Sequence, residues 1–455
     1  MDIGFETIGN ATLIFHDRKP VLVTDPWIKG SAYFGSWTLA HQIPDEQMES
    51  IKNCDFVWIS HGHPDHLSSE SLRLLSNKKI LLPDHVGGRI FQGFKEDGYD
   101  VHVLKDRVWN KITDRIKIMS ICDYNQDAVL LVEINGHLVV NTNDASDHGW
   151  QYFVKKVIRN YDVSFLLSLS GFGDADMINF FDENGSRITP SAAGRPPVGK
   201  TIAARTEMFG ARYFIPFSSM HRYQRRDSVW ANQYTTSLED YAKGFESKSS
   251  AILPAYVKYD CINDRMEKIN PPETPPVVFD PEYFGDYWEE PLERGDVAKL
   301  EKYFKSISHI EQFLDYINAR VGGKDNFIEF NRQKFKKGIT FEAPRHSLMV
   351  AVEYEIFDDM LIGNFMKTTL HGKWGKSGLY PDFTPFVAKY ADNGRAKTQE
   401  ELISYFEEYK RRCFFDFVRH RFQQKAIETF RFYFPRDSEL YQLAERAYYA
   451  IRKVL

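Results

Sequence analysis

Short apolar runs rich in β-branched residues recur through residues 1–220 and predict a region rich in strands. Examples are TLIFHD, PVLVTDPW, DFVWISH, KILLPD, AVLLVEING and HLVVNTND. Helical patterns separate some of these runs, such as SSESLRLLSNK, which begins with serines that can cap a helix and then carries spaced leucines. The pair Asn135-Gly136 between two apolar runs predicts a hairpin. This mixture predicts stacked sheets with helices outside, rather than one doubly wound parallel sheet.

The pattern changes after a proline-rich segment, NPPETPPVVFDPEYFGDYWEEP. Beyond it, RGDVAKLEKYFKSISHIEQFLDYINARV and TQEELISYFEEYKRRCFFDFVRHRFQQKAIETFRFYF show the spaced apolar residues that are typical of helices. Between them, HSLMVAVEYEIFDDMLIGNFMKTTL predicts a pair of strands. We therefore expect a first domain over residues 1–268, a linker or extended arm over 269–292 and an α-rich domain over 293–455.

Composition and charge are those of an ordinary globular protein. The chain has 455 residues, of which 43% are hydrophobic and 27% charged, and its net charge of -5 gives no reason to expect binding to nucleic acid or a membrane surface. Its apolar runs are about half the ~20 residues that a membrane span needs. No signal-peptide pattern opens the chain, and the four cysteines lie far apart. We therefore expect a cytoplasmic protein without a disulfide framework or a zinc ribbon.

The most specific motif is SHGHPDHL, which crowds three histidines and one aspartate into six consecutive positions. It follows the apolar run DFVWIS, and a loop at the end of a strand can aim several side chains at one point. His61 and His63 should point the same way, while Asp65 and His66 can serve a second ion. Imidazoles suit zinc and iron, and carboxylates admit harder, redox-active metals. The motif predicts a metal site, and the alternative is a chance cluster of surface histidines.

The H-x-H-x-D-H spacing resembles that of the metallo-β-lactamase superfamily. The resemblance implies an αββα sandwich, an α/β (α+β) fold with a one- or two-metal site at one edge of its sheets, followed here by the α-rich domain. VLVTDPW resembles the early strand of that family, which implies that Asp25 lies near the metals and orients a ligand. LVVNTND resembles the strand that delivers a bridging aspartate, here Asp144. The alternative is that Asp25 and Asp144 only cap loops.

Two further ligands are histidines in that superfamily, and here the match weakens. The segment SICDYNQD has Asp123 where the first histidine is expected, which would shift metal preference from zinc toward iron or manganese. His221 in YFIPFSSMH is the candidate for the last histidine, and His148 in DASDHGW is a weaker candidate near Asp144. The alternatives are that Asp123 is a turn residue and that His221 is a surface or phosphate-binding histidine.

Phrases from both halves of the chain resemble the catalytic region of the cytidine monophosphate N-acetylneuraminic acid hydroxylase family. They are TDPWIKGSA, WISHGHPDHLS, VEINGHLVVNTND, IPFSS and FDDMLIGNFM. The resemblance implies an iron-dependent oxygenase that acts on a small polar, sugar-like or nucleotide-linked substrate. The family carries a Rieske iron–sulfur domain, whereas this sequence contains no Cys-x-His pair. We therefore expect the electrons to come from a separate Rieske or ferredoxin partner.

Two chemistries stay open for such a site. In a hydrolase, a phosphodiesterase or lactonase, two ions would share a water whose pKa falls to roughly 7, so that a metal-bound hydroxide attacks. Asp144 would then bridge the ions, and Asp65 would steer the nucleophile or bind the second ion. In an oxygenase, two irons would use O₂ to hydroxylate an unactivated C–H bond. Asp123 favours the oxygenase with iron, and zinc and manganese are the alternative metals. The missing Rieske signature favours the hydrolase.

A binding protein that has kept the fold and lost turnover is a third hypothesis, which the intact motif disfavours. MHRYQRRD places Arg222, Arg225 and Arg226 just after a predicted strand, and arginine suits a phosphate or carboxylate of the substrate. The alternative for these arginines is a solvated basic patch. The aromatic-rich helical pattern over residues 402–434 predicts core packing or an interface, so a homo-oligomer formed through the C-terminal domain is a further hypothesis.

Overall fold

Two large sheets and the helices around them form the N-terminal region of the protein. The computed structural model describes residues 1–123, 127–174, 177–330, 337–374, 378–380, 383–389 and 399–433. The strands of the N-terminal region are β1 (Ile3–Ile8), β2 (Thr12–Asp17), β3 (Lys19–Thr24), β4 (Trp37–Leu39), β5 (Phe56–Trp58), β6 (Lys79–Pro83), β7 (Val101–Leu104), β8 (Asn110–Lys111), β9 (Ile116–Cys122), β10 (Ala128–Ile134), β11 (His137–Asn141), β12 (Ser164–Leu169), β13 (Phe180–Phe181), β14 (Tyr213–Phe217), β15 (His221–Tyr223), β16 (Ala251–Ile252), β17 (Val257–Asp260) and β18 (Arg265–Lys268). Its helices are α1 (Asp45–Lys52), α2 (Ser69–Leu74), α3 (Arg89–Glu96), α4 (Gln151–Ile158) and α5 (Val198–Phe209).

The two sheets face each other across a common core. The first sheet has the order β18-β17-β1-β2-β3-β5-β6-β7, and the second has the order β16-β14-β12-β11-β10-β9-β8. Side chains alternate along each strand because successive residues point to opposite faces. In β2, Leu13 and Phe15 enter the core between the sheets, together with Leu130 of β10. Ile14, which lies between Leu13 and Phe15, belongs instead to a core that includes helix residues.

Helices cover the outer faces of this sandwich. Helix α1 contacts β2 and β3, α3 contacts β7, and α4 and α5 pack together over the second sheet, where α5 contacts β14. Strands that are buried on both faces read as near-continuous apolar runs, as β10 and β11 do here. The layers therefore follow the order helix, sheet, sheet, helix, which confirms the predicted αββα sandwich.

Parallel strands bring several loops to one edge of the sandwich. Strands β3 and β5 are parallel in the first sheet, and β11, β12 and β14 are parallel in the second. The carboxyl ends of parallel strands meet at the same edge, where α/β proteins commonly bind ligands. The loops after β3, β5, β11 and β14 all start at this edge, and they carry most of the residues that the motif analysis selected.

The C-terminal region is helical and also contains a sheet. Its elements are α6 (Asp296–Ser306), β19 (Tyr316–Val321), β20 (Lys324–Glu329), β21 (Gly338–Glu342), α7 (Arg345–Glu353), α8 (Phe357–Ile362), β22 (Lys367–His371), α9 (Thr384–Lys389), α10 (Gln399–Arg412) and α11 (Phe414–Tyr433). The third sheet has the order β13-β22-β21-β19-β20 and has its own apolar core. The helical character of this region is confirmed.

Two predictions of local structure in this region were wrong. The helical pattern over residues 294–321 contains α6 and then strand β19. The segment predicted as a strand pair forms helices α7 and α8 and only then strand β22. In both segments the spacing of apolar residues fits the period of a helix as well as that of a strand. Packing in the C-terminal core therefore decides which of the two forms.

One strand of the third sheet comes from the N-terminal region. Strand β13 pairs in parallel with β22, with Phe180 opposite Thr368 and Phe181 opposite Thr369. The backbone N–H of Thr368 also donates to the carbonyl of Asn179 at 2.9 Å. The N-terminal and C-terminal regions therefore share a sheet as well as a chain connection.

The segment 269–292 lies along the surface between the two regions. Single bridges join Glu273 to His41 and Phe279 to Arg225. Asp286 accepts hydrogen bonds from Nη1 of Arg225 at 2.6 Å and from the backbone N–H of Ser347 in α7 at 2.9 Å. Residues of the sandwich, the arm and the C-terminal region thus meet at one buried carboxylate.

Within the described ranges, none of the helices combines the length and the apolar character that crossing a bilayer requires.

Candidate metal centre

The strand ends described above bring four polar segments together. Asp25 follows β3, the segment His61–His66 follows β5, Asp144 follows β11 and Ser218 follows β14. Asp25 and Ser218 have the positive φ angles 40° and 61°. Such angles are uncommon for residues other than glycine, and they turn a side chain sharply away from the strand direction. The local backbone is thus shaped to aim these side chains at the sheet edge.

His61, His63 and Asp144 form the group that could hold a metal ion. One ligand atom from each residue lies within 4.8 Å of the others. Nε2 of His61 lies 2.9 Å from Nδ1 of His63, and Nδ1 of His61 lies 2.8 Å from Oγ of Ser60. Because Ser60 contacts the other nitrogen, Nε2 of His61 is the atom that faces the group. The structure therefore brings together two histidines of the motif and the aspartate that follows β11.

His66 and Asp65 also lie beside this group, and the ring centroids of His66 and His61 are 4.2 Å apart. Nε2 of His66 lies 3.5 Å from Oδ2 of Asp65 and 3.5 Å from Oδ2 of Asp144. The hydroxyl of Ser218 donates to Oδ1 of Asp144 at 2.6 Å. Asp144 thus contacts His66 and also belongs to the group with His61 and His63. A carboxylate that contacts both sets of donors could serve as a bridging ligand.

Asp25 holds His66 from the side opposite Asp144. Its Oδ2 atom lies 3.2 Å from Nδ1 of His66, and the side chains of both residues are completely buried. Asp25 also accepts hydrogen bonds from the backbone N–H of Ser60 at 2.7 Å and from the amide of Asn143 at 2.9 Å. A carboxylate on one nitrogen of an imidazole fixes the ring and leaves the other nitrogen for a metal. The role that the resemblance implied for Asp25, orienting a metal ligand, stays a prediction.

Asp65 is held by two neutral donors. The amide of Asn10 donates to its Oδ2 atom at 2.8 Å, and the hydroxyl of Tyr33 donates to its Oδ1 atom at 2.6 Å. Burial, together with the charge of Asp65, raises the pKa of Tyr33 well above its usual value, so the phenol keeps its proton. The Asp65 carboxylate is therefore fixed in direction by groups that bring no positive charge.

The electrostatics of the site favour a positive charge beside these carboxylates. Burial alone would lower the pKa of His66, but the charges of Asp65 and Asp144 outweigh burial and raise it well above its usual value. For Asp144, burial acts to raise the pKa, and the contacts with His66 and Ser218 outweigh it and lower the pKa. A bound cation would meet the same demand for positive charge, and imidazole nitrogens and carboxylate oxygens suit iron, zinc and manganese. The residues present therefore fit a metal centre.

Asp123 lies near the site but serves a turn. Its Oδ1 atom accepts from the backbone N–H of Asp127 at 2.9 Å, and its Oδ2 atom accepts from the backbone N–H of Ser146 at 2.7 Å. These contacts favour the turn alternative, and a ligand role for Asp123 stays a prediction. The motif analysis missed Asp127, whose Oδ1 atom lies 3.8 Å from Nε2 of His61. Asp127 is the second aspartate of the same SICDYNQD segment, so the segment already contained the signal that could have identified it.

The two remaining histidines have other neighbours. The ring of His221 stacks on Trp37 with centroids 3.4 Å apart, and its Nδ1 atom lies 3.2 Å from Oδ1 of Asp174. Burial lowers the pKa of His221 to about 3, so its imidazole is neutral, as a metal ligand must be. His148 stacks on His420 of α11 with centroids 3.9 Å apart. Both histidines stay predictions as ligands.

The three arginines contact groups of the chain itself. Arg225 is completely buried and donates to both oxygens of Asp227 as well as to Asp286. Arg226 donates to Asp280, and Arg222 donates to the carbonyl of Thr274. These contacts explain the arginines as structural residues and give no support to a substrate role, which stays a prediction for all three.

Comparison with known proteins supports the resemblance that the motifs indicated. No family model matches the chain. The chain is 33% identical to cytidine monophosphate-N-acetylneuraminic acid hydroxylase of Danio rerio over 154 residues, which cover 32% of this chain. The matched segment spans only 26% of the length of that relative. The similarity to hydroxylases of this name is thus confirmed for part of the chain.

Two solved structures are similar to part of the chain. A metallo hydrolase from Ignicoccus hospitalis is 11% identical, with 59% of this chain and 99% of that chain covered and a TM-score of 0.36. CmlA, a diiron β-hydroxylase from Streptomyces venezuelae, is 12% identical, with 59% of this chain and 54% of that chain covered and a TM-score of 0.34. Both scores are low, so the assignment of the sandwich depends on the sheet order and layer packing described above.

Proposed function

We propose that this protein is a metal-dependent hydroxylase with a two-metal centre at the sandwich edge. The observation that carries the proposal is the position of Asp144, which belongs to the group with His61 and His63 and also contacts His66. The partial similarity to hydroxylases of sugar nucleotides supports the choice of reaction. The substrate is then a small polar molecule, sugar-like or nucleotide-linked.

The proposed centre has two positions with a shared carboxylate. His61, His63 and Asp144 would hold one ion, and Asp65, His66 and Asp144 would hold the other. Two bound iron ions would supply the redox chemistry that activates O₂. The carboxylates favour iron or manganese over zinc because harder cations prefer oxygen ligands.

Neighbouring residues of the protein fix the direction of the proposed ligands. Asp25 and Ser60 hold the outer nitrogens of His66 and His61, so their ligand nitrogens face inward. Ser218 and Tyr33 each donate to one oxygen of a carboxylate and leave the other oxygen directed at His66. Fixed ligands of this kind are needed because a site with a misplaced donor loses metal affinity and reaction rate.

We further propose that a separate Rieske or ferredoxin protein supplies electrons in the cytoplasm.

A dinuclear metallohydrolase, a phosphodiesterase or lactonase, is the second candidate. The observation that favours it is the number of imidazoles, since His61, His63 and His66 together suit zinc. In this case Asp65 would orient an attacking water, and no electron donor would be needed.

Metal analysis joined to an oxygen assay tests the proposal. The protein would be purified without oxygen, its metal content measured, and O₂ uptake followed with cytidine monophosphate N-acetylneuraminic acid, ferredoxin and a reductant. We expect iron, and O₂ uptake that is coupled to a hydroxylated product. The double variant His61→Ala, His63→Ala should lose both, and His102→Ala, whose side chain is 52% exposed, should lose neither.

Three outcomes separate the candidates. Iron with coupled O₂ uptake supports the hydroxylase. Zinc with turnover of a phosphodiester or lactone, and no O₂ uptake, replaces it with the hydrolase. A protein that binds no transition metal under any of these conditions contradicts both.

A further inference from the structure

The C-terminal region places a carboxylate against the candidate metal centre. Oδ2 of Asp358 lies 3.5 Å from Nε2 of His63, although 295 positions separate the two residues in the chain. The side chain of Asp358 is only 6% exposed, and its Oδ1 atom is buried without a hydrogen-bond partner among the described residues. A buried carboxylate in such a position costs free energy unless a nearby group provides positive charge or a proton to share. The imidazole of His63 is that group.

The two nitrogens of His63 have different neighbours. Nδ1 lies 2.9 Å from Nε2 of His61, another member of the candidate ligand group. Nε2 faces Asp358 on the opposite side of the ring. An imidazole that ligates a metal through one nitrogen usually donates the N–H of the other to a carboxylate or carbonyl. Asp358 occupies the place of that acceptor.

Asp358 is held in this place by the packing of α8. Phe357 and Met360 of this helix are completely buried in the C-terminal core. The residues that follow α8 are joined to the sandwich, because Ser36 donates to the carbonyl of Gly363 and Trp230 donates to the carbonyl of Asn364. The distance between α8 and the sheet edge is therefore set by contacts at both ends, rather than by the His63 contact alone.

We infer that Asp358 is a positioning residue for the metal centre. Its carboxylate accepts a hydrogen bond from the Nε2–H of His63 and so fixes the tautomer and direction in which Nδ1 binds the ion. The inference rests on the proposed function, since it needs a metal at His61 and His63. It adds that the C-terminal region completes the site, because the acceptor for one ligand comes from α8 and not from the sandwich.

Cobalt binding by Asp358→Asn tests this role without an activity assay. We expect the affinity for Co²⁺ to fall about 10- to 100-fold, as for other acceptors of a ligating imidazole. The amount of Co²⁺ bound at saturation should stay equal to that of wild type, because all ligands are still present. Asp296→Asn is the matched control, since Asp296 is a buried carboxylate of the C-terminal region that pairs with Arg345. Its affinity should equal that of wild type.

A double-mutant cycle shows whether Asp358 acts through His63. If it does, Asp358→Asn should cause no further loss of affinity in a His63→Ala background. Asp358→Glu retains the charge at a displaced position and takes the place of the Asn variant if that variant does not fold. An unchanged affinity, an equal loss in the His63→Ala background, or the loss of one bound ion at saturation would overturn the inference. If wild type itself binds no Co²⁺, the proposed function fails instead.

Discussion

Oδ2 of Asp25 lies 3.2 Å from Nδ1 of His66, and neither side chain has any exposed surface. The two residues come from loops after β3 and β5, which are neighbouring parallel strands of the first sheet. Asp25 adopts a φ of 40° at this point, a backbone conformation that costs about 1–3 kcal/mol and needs compensation from its surroundings. The compensation is the set of hydrogen bonds that Ser60 and Asn143 donate to its carboxylate.

Asp25→Asn should therefore weaken metal binding without removing a ligand. An amide oxygen accepts a weaker hydrogen bond from Nδ1 of His66 than a carboxylate does. The ring of His66 is then held less firmly, and its Nε2 atom loses its fixed direction. We expect affinity to fall about 10- to 100-fold, measured by competition with a chromophoric chelator. Asp55→Asn is the control, because Asp55 is 41% exposed and forms a surface pair with Lys19. An affinity equal to that of wild type would show that Asp25 does not orient His66.

Arg225 and Arg226 offer a comparison between a buried and an exposed ion pair. Arg225 and Asp286 are both completely buried, so Arg225→Ala leaves an uncompensated carboxylate and should cost about 3–5 kcal/mol of unfolding free energy. Arg226 and Asp280 are 67% and 57% exposed, so Arg226→Ala should cost about 0–1 kcal/mol. Urea denaturation of both variants checks this difference. Equal costs would contradict the structural role assigned to Arg225.

Phe165 tests the core between the two sheets. Its ring lies 5.0 Å from that of Phe5 and 4.6 Å from that of Tyr259, and the residue is completely buried. Phe165→Ala should lower the unfolding free energy by about 3–5 kcal/mol, because it leaves a cavity between the sheets. Phe327→Ala, at a position that is 56% exposed, should stay within about 0.5 kcal/mol of wild type. A small effect at Phe165 would mean that the sheets do not pack as described.

Glu408 predicts a dependence of stability on pH. Hydrogen bonds from Arg411 and Arg412 lower its pKa from 4.5 to about 2 in the folded protein. Because the folded state favours the ionised carboxylate, this stabilisation is complete above the unfolded pKa and is lost as the pH falls through the folded pKa. Glu408→Gln should cost about 1 kcal/mol at neutral pH, and its difference from wild type should shrink as the pH is lowered from 5 toward 2. Thermal melts across that pH range measure the stability difference between the variant and wild type. A difference that grows as the pH falls would contradict the prediction.

Much of the sandwich is predictable because its strands are buried on both faces. The run AVLLVEI in β10 is apolar at nearly every position, which predicts a buried strand. The turn at Asn135 and Gly136 joins β10 to β11 in the expected hairpin. The convergence of His61, His63 and Asp144 also follows from position, since each lies just beyond the carboxyl end of a strand. Local pattern and topology agree at this edge.

The C-terminal region was harder to predict because its short apolar segments fit two periods. FLDYINARV lies in a helical pattern, yet β19 forms there because it can pair with β20 and β21 on either side. Conversely, the valines of HSLMVAVE suggested a strand, but α7 packs Leu348 and Ala351 on one face into the core. Contacts made far along the chain override local preference in both cases.

The parts of the site that sequence reasoning missed depend on long-range packing. Asp358 faces His63 only because α8 docks on the sandwich, and no spacing rule connects residues so far apart. Asp127 was passed over for Asp123, although both are aspartates of one short loop. Which of two carboxylates turns inward depends on backbone hydrogen bonds, such as those that Asp123 accepts from Asp127 and Ser146.

The pairing of β13 with β22 has a consequence for how this gene can change. Phe180 and Phe181 form the edge strand of a sheet whose other strands lie beyond residue 315, so without the N-terminal half of the chain β22 would become an unpaired edge. A split polypeptide would expose an unpaired strand, which is a hazard for aggregation. Recombination that exchanges the upstream half for an unrelated one would leave the same open edge, so we expect the halves to be inherited as a unit.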